Sequence, residues 1–158
     1  MFKGLILSDT NSSADANAGK LNRFQSIDKI VAGGLEAFAG DFVKKVLCKS
    51  TPESKPLIPA FTESMILATR ENTICATQLA LASRTDTTSF LNKVEVPALI
   101  IRGENDLLMN KEQAQVLKLN LQDSRFVEIA DSGHLPNLEN PVEFNAALNL
   151  FLQQRFSA

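Results

Sequence analysis

The 158-residue sequence has no tryptophan, no tyrosine, one histidine, two cysteines and seven glycines. Sixteen basic residues against eighteen acidic ones leave a net charge of -2, so neither the charge nor the aromatic stripe of a nucleic-acid binder is present. Cys48 and Cys75 are too few and too far apart for a disulfide framework or a zinc knuckle. Two free buried thiols are expected, with a disulfide between them as the other reading. The longest uncharged stretch with real apolar content, Asn72 to Ser83, falls well short of the ~20 residues of a bilayer-spanning helix. Near the N-terminus only Leu5, Ile6 and Leu7 run together as strongly apolar residues, too few for a signal-peptide core. A cytoplasmic location is therefore expected, with neither membrane nor nucleic acid as partner. No metal-ligand cluster, Gly-rich phosphate loop or dinucleotide fingerprint occurs, and the expectation is no metal and no cofactor.

What remains has ordinary globular proportions, 44% hydrophobic and 22% charged. A chain of this length can bury roughly 68–70% of its unfolded surface, enough for one domain with a real core. No internal repeat or linker divides it.

Gly4 to Ser8 reads as a short buried strand, and the Asn-, Ser- and Asp-rich stretch from Asp9 to Ala18 as a loop. From Lys20 the pattern is helical for some seventy residues, with four helices expected. Leu35, Phe38, Ala39, Phe42, Val43, Val46 and Leu47 follow the i, i+3, i+4 rhythm of an amphipathic helix. After breaks at Pro52 and Pro56, a helix is expected over 57–70 and another over 73–83. Beyond Asp86-Thr87-Thr88 the chain turns strand-like and leads into Ala98-Leu99-Ile100-Ile101, a continuous apolar run suited to a parallel strand covered on both faces. A helix over 111–121, a strand over 125–129 and a final helix follow. The last has Asn140 as N-cap, Pro141 at its first position and Glu143 two residues later. This alternation predicts an α/β fold with a small parallel sheet of about three strands.

His134 lies in the loop beyond the carboxyl end of one strand, and Asp106 in the turn beyond the preceding strand. Neighbouring parallel strands bring such loops together at the edge where open α/β sheets place their functional groups. An aspartate there can fix the imidazole tautomer and stabilise the imidazolium, making the pair a general base with its orienting acid. The bland alternative is a loop histidine bonded to backbone and a turn aspartate. Asp9 is read as a turn or N-cap residue, with a role as alternative acid as the sharper reading. Arg102 and Glu104 are read as solvated or structural charges. Phe38, Phe42, Phe61, Met65 and Leu138 are either plain core or the lining of an acyl pocket.

Two segments carry a resemblance: Val96-Pro97-Ala98-Leu99-Ile100-Ile101-Arg102-Gly103-Glu104-Asn105-Asp106, and Ser132-Gly133-His134-Leu135-Pro136-Asn137-Leu138-Glu139-Asn140-Pro141 with Phe144-Asn145. Together they resemble the closing part of the α/β-hydrolase superfamily, in which a Gly-x-x-Asp turn delivers the triad acid and a Gly-His loop the base. The separation of 28 residues between Asp106 and His134 suits that family. Gly4 to Thr10 looks like its sixth strand, and the helical stretch like its cap. The segment from Ala14-Asp15-Ala16 to Arg23 is similar to esterase, enol-lactonase and haloperoxidase-like members. The resemblance implies a partial α/β-hydrolase fold, its core portion at 1–18 and 93–158 and its cap at 19–92. It also implies an ester or lactone hydrolase, with a small-molecule ester or lactone as substrate and Asp106 and His134 as catalytic acid and base.

The sequence departs from that family at the nucleophile. The family's serine sits in Gly-x-Ser-x-Gly on a strand-to-helix turn, and its N–H neighbours form the oxyanion hole. No serine here is flanked by glycines at that spacing. Ser8 and Thr10 are the substitutes at the correct sheet edge, neither on a glycine-flanked elbow. In that family the first strand here pairs with a neighbour that this chain does not contain, so a homo-oligomer or a separate N-terminal half is expected to cover its open edge. The competing expectation is a non-catalytic remnant or interaction module that self-associates through that surface.

Overall fold

A computed structural model describes residues 2–156. Three parallel strands, β1 (Leu5–Ser8), β2 (Ala98–Gly103) and β3 (Ser124–Ile129), form one sheet in the order β1-β2-β3. Leu5 pairs with Ala98 and Ala98 with Ser124, so the carboxyl ends finish side by side at Ser8, Gly103 and Ile129. The apolar run that fills β2 is buried along its whole length, as a central strand covered on both faces requires. Ala98 and Ile100 pack on Ala114, Leu117 and Leu121 of α6 (Lys111–Asn120) and its end, while Leu99 and Ile101 pack on Ala147 and Phe151 of α8 (Pro141–Phe156), which follows the short α7 (Pro136–Glu139). The architecture is a small parallel sheet of three strands between helices, the α/β arrangement expected from the sequence.

Between β1 and β2 run α1 (Asn17–Gly33), α2 (Leu35–Val46), α3 (Thr51–Ser54), α4 (Leu57–Leu67) and α5 (Glu71–Ser83). Five helices therefore stand where four were expected, because Thr51-Pro52 opens a short turn of helix rather than a simple break. The strand-like reading beyond Thr88 is also corrected. Residues Thr88–Lys93 form a 3₁₀ turn, and the strand begins only after Pro97. The insertion is closed at its base by Asp15, whose carboxylate meets Arg23 at 3.0 Å and Arg84 at 2.8 Å, tying the start of α1 to the exit of α5. The apolar stripe of α2 buries Val43 and Val46, with Leu47, against Ile58 and Ile66 of α4 and against Leu108 and Leu135 from the core loops. That cluster places the C-terminal end of α2 directly above the sheet's carboxyl edge.

Helix starts follow their sequence signals where a polar cap is available. Asn110 and Gln113 form a reciprocal capping box at α6, and Asn140 accepts the Glu143 N–H at α8. Cys48 and Cys75 are free; Cys48 is buried and Cys75 half-buried. No helix is long and apolar enough to cross a membrane among the described residues.

Candidate active site

Each strand delivers one residue to the carboxyl edge. Directly after β1, Asp9 turns the chain in the left-handed region at φ 46°, and after β3 Asp131 does the same at φ 50°. Aspartate tolerates that conformation better than most residues because its short side chain bonds locally. Beyond β2, Gly103 opens the acid turn. A Cβ there would lie 1.9 Å from the Gly133 carbonyl oxygen, so glycine is required for the acid and base loops to touch backbone to backbone.

The acid turn is held from below. Arg102, only 6% exposed, donates to the carbonyls of Met109, Glu104 and Asp106 and pairs with Glu128 at 2.8 Å. Of the two readings for this residue, the structural one stands. Glu104 is exposed. Asp106 is buried, one oxygen accepting from the Leu108 and Met109 amides at 2.8 and 3.1 Å and the other lying 2.9 Å from His134 Nδ1. Sequence reasoning named these two residues, and the fold brings them together.

The electrostatics follow from that contact. Burial works to lower the His134 pKa, but the hydrogen bond and charge of Asp106, helped by the charges of Asp9 and Glu139, raise it above 6.5. Burial likewise works to raise Asp106, and is outweighed by the His134 hydrogen bond and charge and by the two loop amides, which hold the carboxyl below its ordinary range. Asp9 behaves oppositely. Burial, with the Asp106 charge beside it, pushes its pKa up to about 7 despite the Gly103 amide, the Ser8 hydroxyl and His134.

Of its two simplest readings, Asp9 is the turn residue and not the N-cap. Its carboxylate accepts from the Gly103 N–H and the Ser8 hydroxyl, both at 2.8 Å, while the N-cap position of α1 belongs to Ala16. It stands beside the pair, and the acid bonded to His134 is Asp106. Ligand-type atoms of Asp9, Asp106 and His134 lie within 4.8 Å of one another, the one such group among the described residues. Both Asp9 oxygens and both Asp106 oxygens accept hydrogen bonds, and the one bond within the group joins Asp106 to His134. The Ser8 hydroxyl is turned to Asp9, and among the described residues neither Ser8 nor Thr10 bonds to His134.

His134 and Leu135 edge an apolar cleft of about 340 Å³ that continues into the helical insertion past Phe38, Phe42, Val46 and Met65. Phe38 and Phe42 stack with ring centres 5.4 Å apart. Of the expected lining, Phe38, Phe42 and Met65 are there; Phe61 is half exposed outside it, and Leu138 lies elsewhere.

A residue not singled out from sequence is the best buried acid in the chain. Glu139 is fully inaccessible, with one oxygen accepting from the Cys48 amide at 2.7 Å and the Thr51 hydroxyl at 2.6 Å, and the other from the Gly133 amide at 2.7 Å. It ends the short helix Pro136–Glu139, and no local sequence pattern marks it.

The fold recurs in solved structures. An esterase from Thermogutta terrifontis matches with a TM-score of 0.91 at 28% identity, over 98% of this chain and 57% of that one. The enol-lactonase from Burkholderia xenovorans LB400 matches with a TM-score of 0.85 at 22% identity, over 96% and 56% respectively. MenH from S. aureus gives a TM-score of 0.85 at 22% identity, over 98% and 60%. The chain thus spans well under two thirds of the length of these proteins, and the likenesses at 22% speak for the fold alone. No curated protein matches the chain. The model of the Ndr family matches residues 3–155. With nearly the whole chain under that match and an α/β-hydrolase-type fold beneath it, the chain belongs to the Ndr family.

Proposed function

We propose that these residues form the acid, base and cap of an ester or lactone hydrolase whose nucleophile and oxyanion hole lie outside this sequence. The observation that carries the reading is the 2.9 Å contact of His134 Nδ1 with the buried Asp106 carboxylate at the mouth of an apolar cleft. In that role Asp106 fixes Nδ1–H, His134 takes a hydroxyl proton on its other nitrogen, and the imidazolium later returns it to the leaving alcohol. The cleft between Phe42, Met65 and Leu135 suits an acyl chain or the apolar side of a lactone. The sequence alone lacks both covalent catalysis and the hole, whose single donors are worth about 3–4 kcal/mol each. Among the described residues strand β1 has a neighbour on one side only, and Phe2, Ile6 and Phe156 stand exposed around it, which suits a nucleophile-bearing half as partner.

The same exposed edge favours a second reading, a non-catalytic module that uses the surface for association alone. A chromogenic short-chain ester separates the two. The chain is assayed alone and after co-refolding with the part of the Thermogutta terrifontis esterase that the structural match leaves uncovered. The hydrolase reading expects no turnover alone and turnover in the complex that is lost with His134→Ala. Turnover that survives His134→Ala, or none from a complex shown by sedimentation to have formed, overturns it.

A further inference from the structure

We propose that Glu139 is a positioning residue for His134, fastening the base loop to the corner of the helical insertion so that the two move together. The proposal deepens the reading of His134 as base and rests on it. Three donors converge on the one carboxylate. The Cys48 amide and the Thr51 hydroxyl come from the corner between α2 and α3, and the Gly133 amide comes from the residue immediately before His134. The same two segments are joined again by the His134 amide, which donates to the Val46 carbonyl at 2.7 Å. Lys55 donates to the Glu139 main-chain carbonyl, adding a fourth link from the insertion. The approach is so close that a Cβ on Gly133 would sit 2.7 Å from both the Cys48 nitrogen and the Val46 oxygen.

A fully buried carboxylate is costly unless its lone pairs are met, and here both oxygens are. A hydrophobic residue would fill the volume without joining the segments, so solvation and packing alone do not call for an acid. What the acid adds is a bridge whose ends belong to different parts of the fold. Through it, the end of α2 that lines the cleft with Val46 is fixed relative to the imidazole. Glutamine cannot replace it. Its single carbonyl oxygen serves either the Cys48 and Thr51 donors or the Gly133 donor, and its NH₂ faces the others.

Hydrogen exchange tests this without any turnover, so it fails or succeeds independently of the hydrolase reading. Because His134 is the sole histidine, its ring Nδ1–H and its backbone amide are assigned without ambiguity. In Glu139→Gln, exchange at both His134 positions is expected to rise by about tenfold or more, while the Ile100 and Ile101 amides of the sheet keep their protection. Thr51→Val removes one bond without changing charge and is expected to shift the His134 protons in the same direction by a smaller factor. It also carries the test if Glu139→Gln fails to fold. Unchanged His134 exchange in a folded Glu139→Gln, or in Thr51→Val where that variant alone folds, overturns the proposal and leaves Glu139 a purely structural acid.

Discussion

Gly103 and Gly133 meet backbone to backbone, so closely that a methyl group on Gly103 would stand 1.9 Å from the Gly133 carbonyl oxygen. The acid turn and the base loop are therefore spaced by the side chain that Gly103 lacks, while the one that Gly133 lacks would meet Val46 and Cys48 of the insertion. Gly103→Ala is expected to destabilise the fold by about 3 kcal/mol or more, since backbone and not a flexible side chain must move. Gly33, at the end of α1, where an added methyl group would meet nothing within 4 Å, is the control. Gly33→Ala is expected to be neutral or stabilising by up to ~1 kcal/mol. Urea denaturation of both variants measures the contrast.

The buried acid beside the pair gives a pH dependence of defined sign. Asp9 is raised from 3.8 to about 7, so the folded state holds its proton more tightly than the unfolded chain. Its contribution to stability is full below pH 4 and is lost as pH rises through 7, each tenfold gain in proton affinity being worth at most ~1.4 kcal/mol. Asp9→Asn is expected to flatten that part of the curve. Asparagine suits the left-handed backbone at φ 46° and keeps an oxygen for the Gly103 N–H, so the variant changes the titration and little else. Stability measured from pH 4 to 8 in both proteins checks it.

His134 offers the complementary titration. Its pKa lies above 6.5 because Asp106 outweighs burial. The stability it contributes is full below its unfolded value and is lost as pH rises through the folded one. Asp106→Asn removes the charge and leaves burial to dominate, so the imidazole pKa is expected to fall below the wild-type value. NMR titration of the single histidine reads the change directly. An unchanged pKa would show that Asp106 does not control the ring.

How much of this was legible in the sequence depends on whether a residue's role is local. The run Ala98-Leu99-Ile100-Ile101 announces a doubly covered strand because burial on both faces demands a continuous apolar string. Asn140-Pro141 announces α8 because capping chemistry is confined to a few adjacent residues. Asp106 and His134 could be paired because parallel strands bring their exit loops together. Thr88–Lys93 misled, since a 3₁₀ turn has no periodic signature of its own. Glu139 was invisible for a different reason. Its partners Cys48 and Thr51 lie 91 and 88 residues away, and only the folded insertion brings them to it. Arg102 shares that character, as its charge partner Glu128 lies on the neighbouring strand.

Arg102 holds three loop carbonyls and one carboxylate from a position almost sealed from water. Arg102→Ala is expected to cost about 3–5 kcal/mol, because Glu128 and the carbonyls lose their donor together. Arg102→Lys is expected to recover only part of this, since one ammonium cannot reproduce the planar fork. Denaturation midpoints rank the three proteins.

The open side of β1 sets the behaviour of the isolated chain in solution. Ile6 is 46% exposed on a strand with one neighbour, and Phe151, Leu152 and Phe156 line a groove of about 610 Å³ beside it. An unpaired strand edge next to apolar surface seeks a second strand. The chain alone is therefore expected to associate with itself in a concentration-dependent way and to bind a hydrophobic dye. Ile6→Lys places a charge on the exposed edge without entering the β2 core, and is expected to weaken both. Sedimentation velocity over a concentration series decides the matter, and a monomer that ignores the dye would mean that the edge is sealed by some other means.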